Sequence, residues 1–194
     1  MRLRRHRAIN LQLKRRTEAV TRTLDTPVDG LTLREAIPGD EAQIIAFIRG
    51  LAEYERLAHE MVATEDDIAT WTFGPDKVID VVLADYRGQP AGFALYFQSF
   101  STFLGKPGIY LEDLFVKPEL RGKGIGTALL VYLAKITTER GFGRLEWSVL
   151  DWNTPSIEFY RSLGAVGMDE WTVNRMTGDV LDALAQRMTF TARS

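Results

Sequence analysis

The 194-residue chain contains no cysteine. Disulfides, a thiolate nucleophile and cysteine metal sites are therefore excluded. Histidine is almost as scarce: the two present, His6 and His59, lie far apart in sequence. That argues against a histidine metal centre or a Ser-His-Asp triad, and leaves acid–base chemistry to carboxylates, tyrosines or lysines. No apolar run approaches the ~20 residues of a membrane helix. Nor does one sign of charge dominate. Lys and Arg number 24 against 26 Asp and Glu, for a net charge of −2, which gives no general attraction to nucleic acid or membrane. Length and composition fit one soluble domain with a sizeable core, and a cytoplasmic location is expected.

What charge there is lies unevenly. Between Met1 and Leu24 stand Arg2, Arg4, Arg5, Arg7, Lys14, Arg15, Arg16 and Arg22, opposed by Glu18 alone. An arm drawn to RNA or membrane, an organelle-targeting peptide, a disordered tail and a mistranslated upstream start all fit this pattern. Thr26-Pro27-Val28-Asp29-Gly30 reads as a linker. Residues 1–29 are thus expected as a disordered extension and linker, and residues 30–188 as the folded domain.

The most informative stretch runs from Tyr110 to Thr127. An apolar strand carries Glu112 and Asp113, turns at Pro118, and enters Arg121-Gly122-Lys123-Gly124-Ile125-Gly126-Thr127. A helix pattern follows at once. Glycines on alternate positions uncover backbone N–H groups at a helix start, where the dipole favours an anion. Arg121 and Lys123 add charge, and the expected anion is a pyrophosphate. No Lys-Ser/Thr follows the last glycine, so this is not a nucleotide P-loop. The Gly-x-Gly-x-Gly spacing is not the dinucleotide fingerprint either.

Arg121, Gly124 and Gly126 do match Arg/Gln-x-x-Gly-x-Gly/Ala, and Asn153, Ser156 and Tyr160 match Asn-x-x-Ser/Ala-x-x-x-Tyr. In that order the two blocks resemble the GNAT acetyltransferase superfamily. Leu51-Ala52-Glu53-Tyr54-Glu55, Thr64-Glu65-Asp66-Asp67, Phe93 to Phe97, Gly105-Lys106 and Tyr110-Leu111-Glu112-Asp113 are similar to its diamine branch, the spermidine/spermine and thialysine N-acetyltransferases. The similarity runs from about Leu31 to about Trp171. It implies an α/β fold with a mixed, mostly antiparallel sheet, splayed in the middle and flanked by helices.

Hydrophobic periodicity gives a compatible order of elements. Strands are expected over 31–35, 77–84, 90–100, 108–116 and 145–150, and two more, 165–168 and 171–175, to end the sheet. Helices are expected from a cap at Gly39-Asp40, from a capping box at Thr64 and Asp67, and over 124–140, 154–162 and 179–186. Tyr86-Arg87-Gly88-Gln89 reads as a turn.

The resemblance also implies a chemistry. An alkylamine has a pKa near ~10.4, so only about one molecule in a thousand is neutral at pH 7. A positioned base must take the proton, and an acid must help the departing thiolate. Tyr160 matches the family's acid, and Glu112 its base or its ammonium holder. Strand alternation puts Glu112 and Asp113 on opposite faces. Acetyl-CoA, the implied co-substrate, would lie along Leu114-Phe115-Val116. Its pyrophosphate would meet Arg121, Gly122, Lys123, Gly124, Ile125, Gly126 and Thr127, and its pantetheine end Asn153, Ser156 and Tyr160. Tyr54, Glu55 and Asp169 match amine-binding positions, whereas Ser101 replaces an aspartate of the branch. No metal is implied. A small-molecule amine and a second copy of the chain, as a homodimer, are the expected partners; nucleic acid is not. A protein or peptide acetyltransferase and a non-catalytic acetyl-CoA-binding module remain open.

Overall fold

A computed structural model describes residues 23–188. The basic stretch 1–22 lies outside the described residues. The chain divides into two compact units, Met1–Ser148 and Val149–Ser194.

In the first unit the elements run β1 (Thr23–Asp25), β2 (Leu31–Glu35), α1 (Glu41–Glu55), α2 (Glu65–Phe73), β3 (Asp80–Tyr86), β4 (Gln89–Ser101), β5 (Lys106–Val116), α3 (Ile125–Glu139) and β6 (Leu145–Trp147). Short 3-10 turns occupy Ala58–Glu60 and Pro118–Leu120. The six strands lie in chain order in one sheet. Neighbours are antiparallel except β5 and β6, which are parallel. The sheet begins earlier than the sequence indicated: Thr23–Asp25 pairs with Thr32–Arg34. The intended linker is the hairpin turn, closed by Thr26, whose hydroxyl donates to the Leu31 carbonyl at 3.0 Å.

The central runs of β3 and β4, Val81 to Ala84 and Ala91 to Tyr96, are buried without a break, as a sheet covered on both faces requires. On one face Val81, Leu83, Phe93, Leu95 and Phe115 pack with Ile44, Ile45 and Phe47 of α1 and Ile68 of α2. Phe47 stacks on Phe93 at 5.5 Å between ring centroids. The strand residues between these, such as Val82 and Ala94, are buried as well, as are Leu129 and Leu133 of α3.

The helix signals hold, with one change of role. Thr64 and Asp67 form the expected capping box at the start of α2. Asp40 stands at the N-cap of α1 but makes no side-chain cap bond. Its carboxylate instead accepts both ends of the Arg34 guanidinium, at 2.7 and 2.8 Å, and the Ile37 N–H. A bidentate ion pair outcompetes one helix-start hydrogen bond. At the β3–β4 turn Arg87 and Gly88 have φ of 53° and 74°, the pair of positive angles a two-residue hairpin turn uses.

The second unit contains α4 (Thr154–Ser162) and α5 (Gly178–Ala185). The strands expected over 165–168 and 171–175 are absent there. A strand needs a neighbour for its backbone groups, and residues 149–188 of this unit contain no other strand.

Candidate active site

Strand β5 is the axis of the site in the first unit. Its pairing with β6 covers Ile109 to Leu111, against Leu145 to Trp147, and stops there. On the other side its register with β4 jumps at the same place: Leu111 faces Tyr96, and Asp113 faces Leu95. Glu112 is therefore the extra residue of a β-bulge. A bulge twists the strand and re-aims its side chains, so the simple alternation expected for Glu112 and Asp113 does not hold.

The two carboxylates sit in different surroundings. Glu112 is exposed and Asp113 half-buried. Burial, then the charges of Glu112 and Glu55, push the Asp113 carboxyl up to about 7. Burial also raises Glu55, in the last turn of α1. Both shifts have the cause expected of carboxylates gathered in partly dry surroundings. The residue pattern gave no sign of this perturbation of Asp113. It depends on the bulge and on where α1 ends.

Helix α1 approaches β5 closely because residue 50 is glycine. A Cβ there would fall 2.8 Å from the Phe115 ring. The Phe115 side chain belongs to the core, so only its backbone can serve a ligand; Leu114 and Val116 are half-buried on either side. The Val116 carbonyl already accepts from the Arg121 Nε at 3.1 Å.

Beyond β5 the chain turns at Pro118 and enters the glycine loop. Gly122 and Gly124 have φ of 74° and 82°, and Gly124 is the N-cap of α3. Such left-handed positions inside a turn arrange successive N–H groups around a concavity that suits an anion. Open space surrounds the missing Cβ of Gly122. Lys123 is exposed, Gly126 and Thr127 half-buried, and Ile125 enters the core; Ile125 offers its backbone alone. The loop therefore fits the pyrophosphate of acetyl-CoA: a long helix start, glycines where side chains would intrude, and a cation beside them. The Arg121 guanidinium lies over the Tyr54 ring, 4.3 Å from its centroid.

The structure thus brings Tyr54, Glu55, Glu112, Leu114 to Val116 and the loop 121–127 into one unit. Ser101 belongs there too, but it is buried and its Oγ accepts the Leu104 N–H at 3.2 Å. Its hydroxyl serves the β4–β5 turn. Asn153, Ser156, Tyr160 and Asp169 lie in the second unit. Asn153 caps α4 and is buried, its side chain accepting from the Ser156 N–H at 3.4 Å. Tyr160 stands one turn after Ser156, its ring 5.4 Å from that of Phe159. Both rings are half-buried. Asp169 is exposed, and its carboxylate lies where a Cβ on Gly167 would point.

Known proteins are similar to this chain over most of its length. The acetyltransferase (GNAT) family model matches residues 45–165. The thialysine N-epsilon-acetyltransferase of Bos taurus is 35% identical over 79% of this chain and 96% of its own length. The L-ornithine N5-acetyltransferase of Arabidopsis thaliana is 32% identical over 78% of this chain and 86% of its own. Among solved structures, an integron cassette protein from the mobile metagenome of V. cholerae superposes with a TM-score of 0.69 at 27% identity, covering 81% of this chain and 98% of that one. A soil-metagenome aminoglycoside acetyltransferase, at 18% identity, covers 78% of this chain and 98% of its own with a TM-score of 0.66; at that identity it speaks for the fold alone. A glycine-rich helix start after a bulged, acidic strand, in a chain this similar to named acetyltransferases, places the protein in the GNAT acetyltransferase family.

Proposed function

We propose that the protein transfers the acetyl group of acetyl-CoA to a primary amine of a small molecule: a diamine, a polyamine or a thialysine-like amino acid. The observation that carries this reading is the continuity of β5 with the loop. One strand presents Glu112 and Asp113 at its bulge and leads directly to the helix start built for a pyrophosphate. Relatives named for thialysine and ornithine support a small amine over a protein substrate. Acetyl-CoA supplies an activated thioester. The N–H groups and cations of residues 121–127 hold its pyrophosphate, the backbone of Leu114 to Val116 lies along the pantetheine, and Asn153 and Ser156 hold the far end.

Glu112 takes the proton from the amine, and Asp113 stands beside it as the second carboxylate an ammonium meets. The Asp113 carboxyl, pushed up to about 7 by burial and its carboxylate neighbours, changes charge near physiological pH and so tunes how strongly the pair holds the ammonium. Tyr54, Glu55 and Asp169 hold the amine. As the neutral nitrogen forms its bond to the carbonyl carbon, the carbon–sulfur bond breaks and Tyr160 gives its proton to the sulfur; the proton that the nitrogen sheds in becoming an amide passes to solvent, from which Tyr160 is reprotonated.

The catalytic domain spans residues 30–188, with residues 1–29 as an extension before it; β1 adds part of that extension to the sheet. We read the protein as a cytoplasmic homodimer, on its similarity to the diamine branch. No helix among the described residues is long and apolar enough to cross a membrane.

Direct attack needs both substrates bound together. Initial rates measured at several fixed acetyl-CoA concentrations should give intersecting double-reciprocal lines. Parallel lines, with acetyl-enzyme trapped in the absence of amine, would contradict the ternary complex.

A further inference from the structure

The residue that opens the anion loop does not stand alone. The Arg121 Nε donates to the Val116 carbonyl at 3.1 Å, which ties the side chain to the end of β5. Its guanidinium carbon lies 4.3 Å from the centroid of the Tyr54 ring and 6.0 Å from that of Phe115. Among the described residues it has no carboxylate partner. The aromatic faces are thus the electrostatic partners that hold this cation.

Tyr54 is itself firmly placed. It lies in the last turn of α1, and that helix ends at Arg56 in the left-handed conformation, φ 64°. The Arg56 and Leu57 N–H groups close the end on the Glu53 and Ala52 carbonyls, at 3.2 and 2.8 Å. This is the Schellman arrangement. Close contact between Gly50 and the Phe115 ring fixes the helix against β5. A guanidinium fixed at Nε and supported on one face keeps its remaining N–H groups in a set plane, and a planar fork recognises a phosphate best when its orientation is fixed.

We propose that Arg121 is aligned for the pyrophosphate by the Tyr54 ring, so that Tyr54, on the amine side, is a positioning residue for coenzyme A. The inference rests on the acetyl-CoA reading of the loop. It extends that reading by linking the two substrate sites: the ring that lines the amine position also sets affinity for the nucleotide end of the other substrate. Such coupling is reciprocal in binding free energy. An amine that contacts the Tyr54 ring should therefore change the affinity for coenzyme A.

The test is calorimetric titration of the full-length protein with coenzyme A. Tyr54→Leu should weaken binding about three- to ten-fold, the range a cation–aromatic contact supports, whereas Tyr54→Phe, which keeps the ring, should bind as the wild type does. In an Arg121→Gln background, Tyr54→Leu should cause no further loss, because the two act through one contact. Arg121→Lys keeps the charge without the planar face and should bind more like Arg121→Gln than like the wild type. It reads the same contact without altering Tyr54. Wild-type affinity in Tyr54→Leu or in Arg121→Lys, or an equal loss from Tyr54→Leu in both backgrounds, overturns the inference and leaves the acetyl-CoA reading standing. A wild-type protein that does not bind coenzyme A overturns both.

Discussion

Asp113 shows how one residue's surroundings set its chemistry and its cost. Its carboxyl titrates near 7 in the folded protein, against about 4 for a free side chain. Between those values the folded state binds more protons than the unfolded state. Asp113 therefore makes stability fall as pH rises through that window. Asp113→Asn should remove that loss: relative to the wild type, the variant gains roughly 3–4 kcal/mol between pH 4 and pH 8. Urea unfolding at both values measures it, and an unchanged difference would place Asp113 in wetter surroundings. The same residue scale separates the two carboxylates. Glu112→Gln should cut kcat/KM across the pH range or raise the amine KM. Asp113→Asn should remove a pH-rate limb near neutrality. Tyr160→Phe should lower kcat by about 100-fold with little change in the dissociation constant for coenzyme A; an unchanged kcat removes Tyr160 from the acid role.

At the scale of elements, local rules predicted most starts and turns. The capping box at Thr64 and Asp67 was legible because both partners lie within one turn. Thr64→Ala should cost about 1 kcal/mol of stability, measurable by denaturant unfolding. The Arg87-Gly88 turn was legible for the same reason. The bulge at Glu112 was not, because it depends on how β5 pairs with β4, and a strand's own residues do not record the partner's register. Asp40 misled for a related cause: its Arg34 partner comes from a neighbouring strand. Gly50 carried no sequence signal either, being one glycine inside a helix. Gly50→Ala should drive its methyl into the Phe115 ring and cost about 1–3 kcal/mol. Calorimetric melting would detect it, and an unchanged melting temperature would mean α1 can move away from β5.

At the scale of the molecule, the two motif blocks gave the family and, through that resemblance, the mixed sheet; periodicity gave a compatible order of elements. Periodicity found the elements of the first unit from β2 onward, where apolar faces of α1 and the buried strands meet in one core. It failed for residues 165–175, where alternation signals a strand but supplies no neighbour. The loop at 121–127 was legible because glycine there answers a backbone requirement, left-handed angles at Gly122 and Gly124, that few other residues meet. The Tyr54–Arg121 contact joins residues of two elements and had no local trace. The central claim, acetyl transfer to a small amine, is tested most directly by following free coenzyme A thiol released from acetyl-CoA. The amines would be thialysine, ornithine, lysine, putrescine and spermidine, with a mixed peptide set as control. Because the chain has no cysteine, a thiol reagent sees product alone. The account predicts saturable turnover on at least one of the small amines and none on the peptides. Tight acetyl-CoA binding with no turnover on any small amine would contradict it.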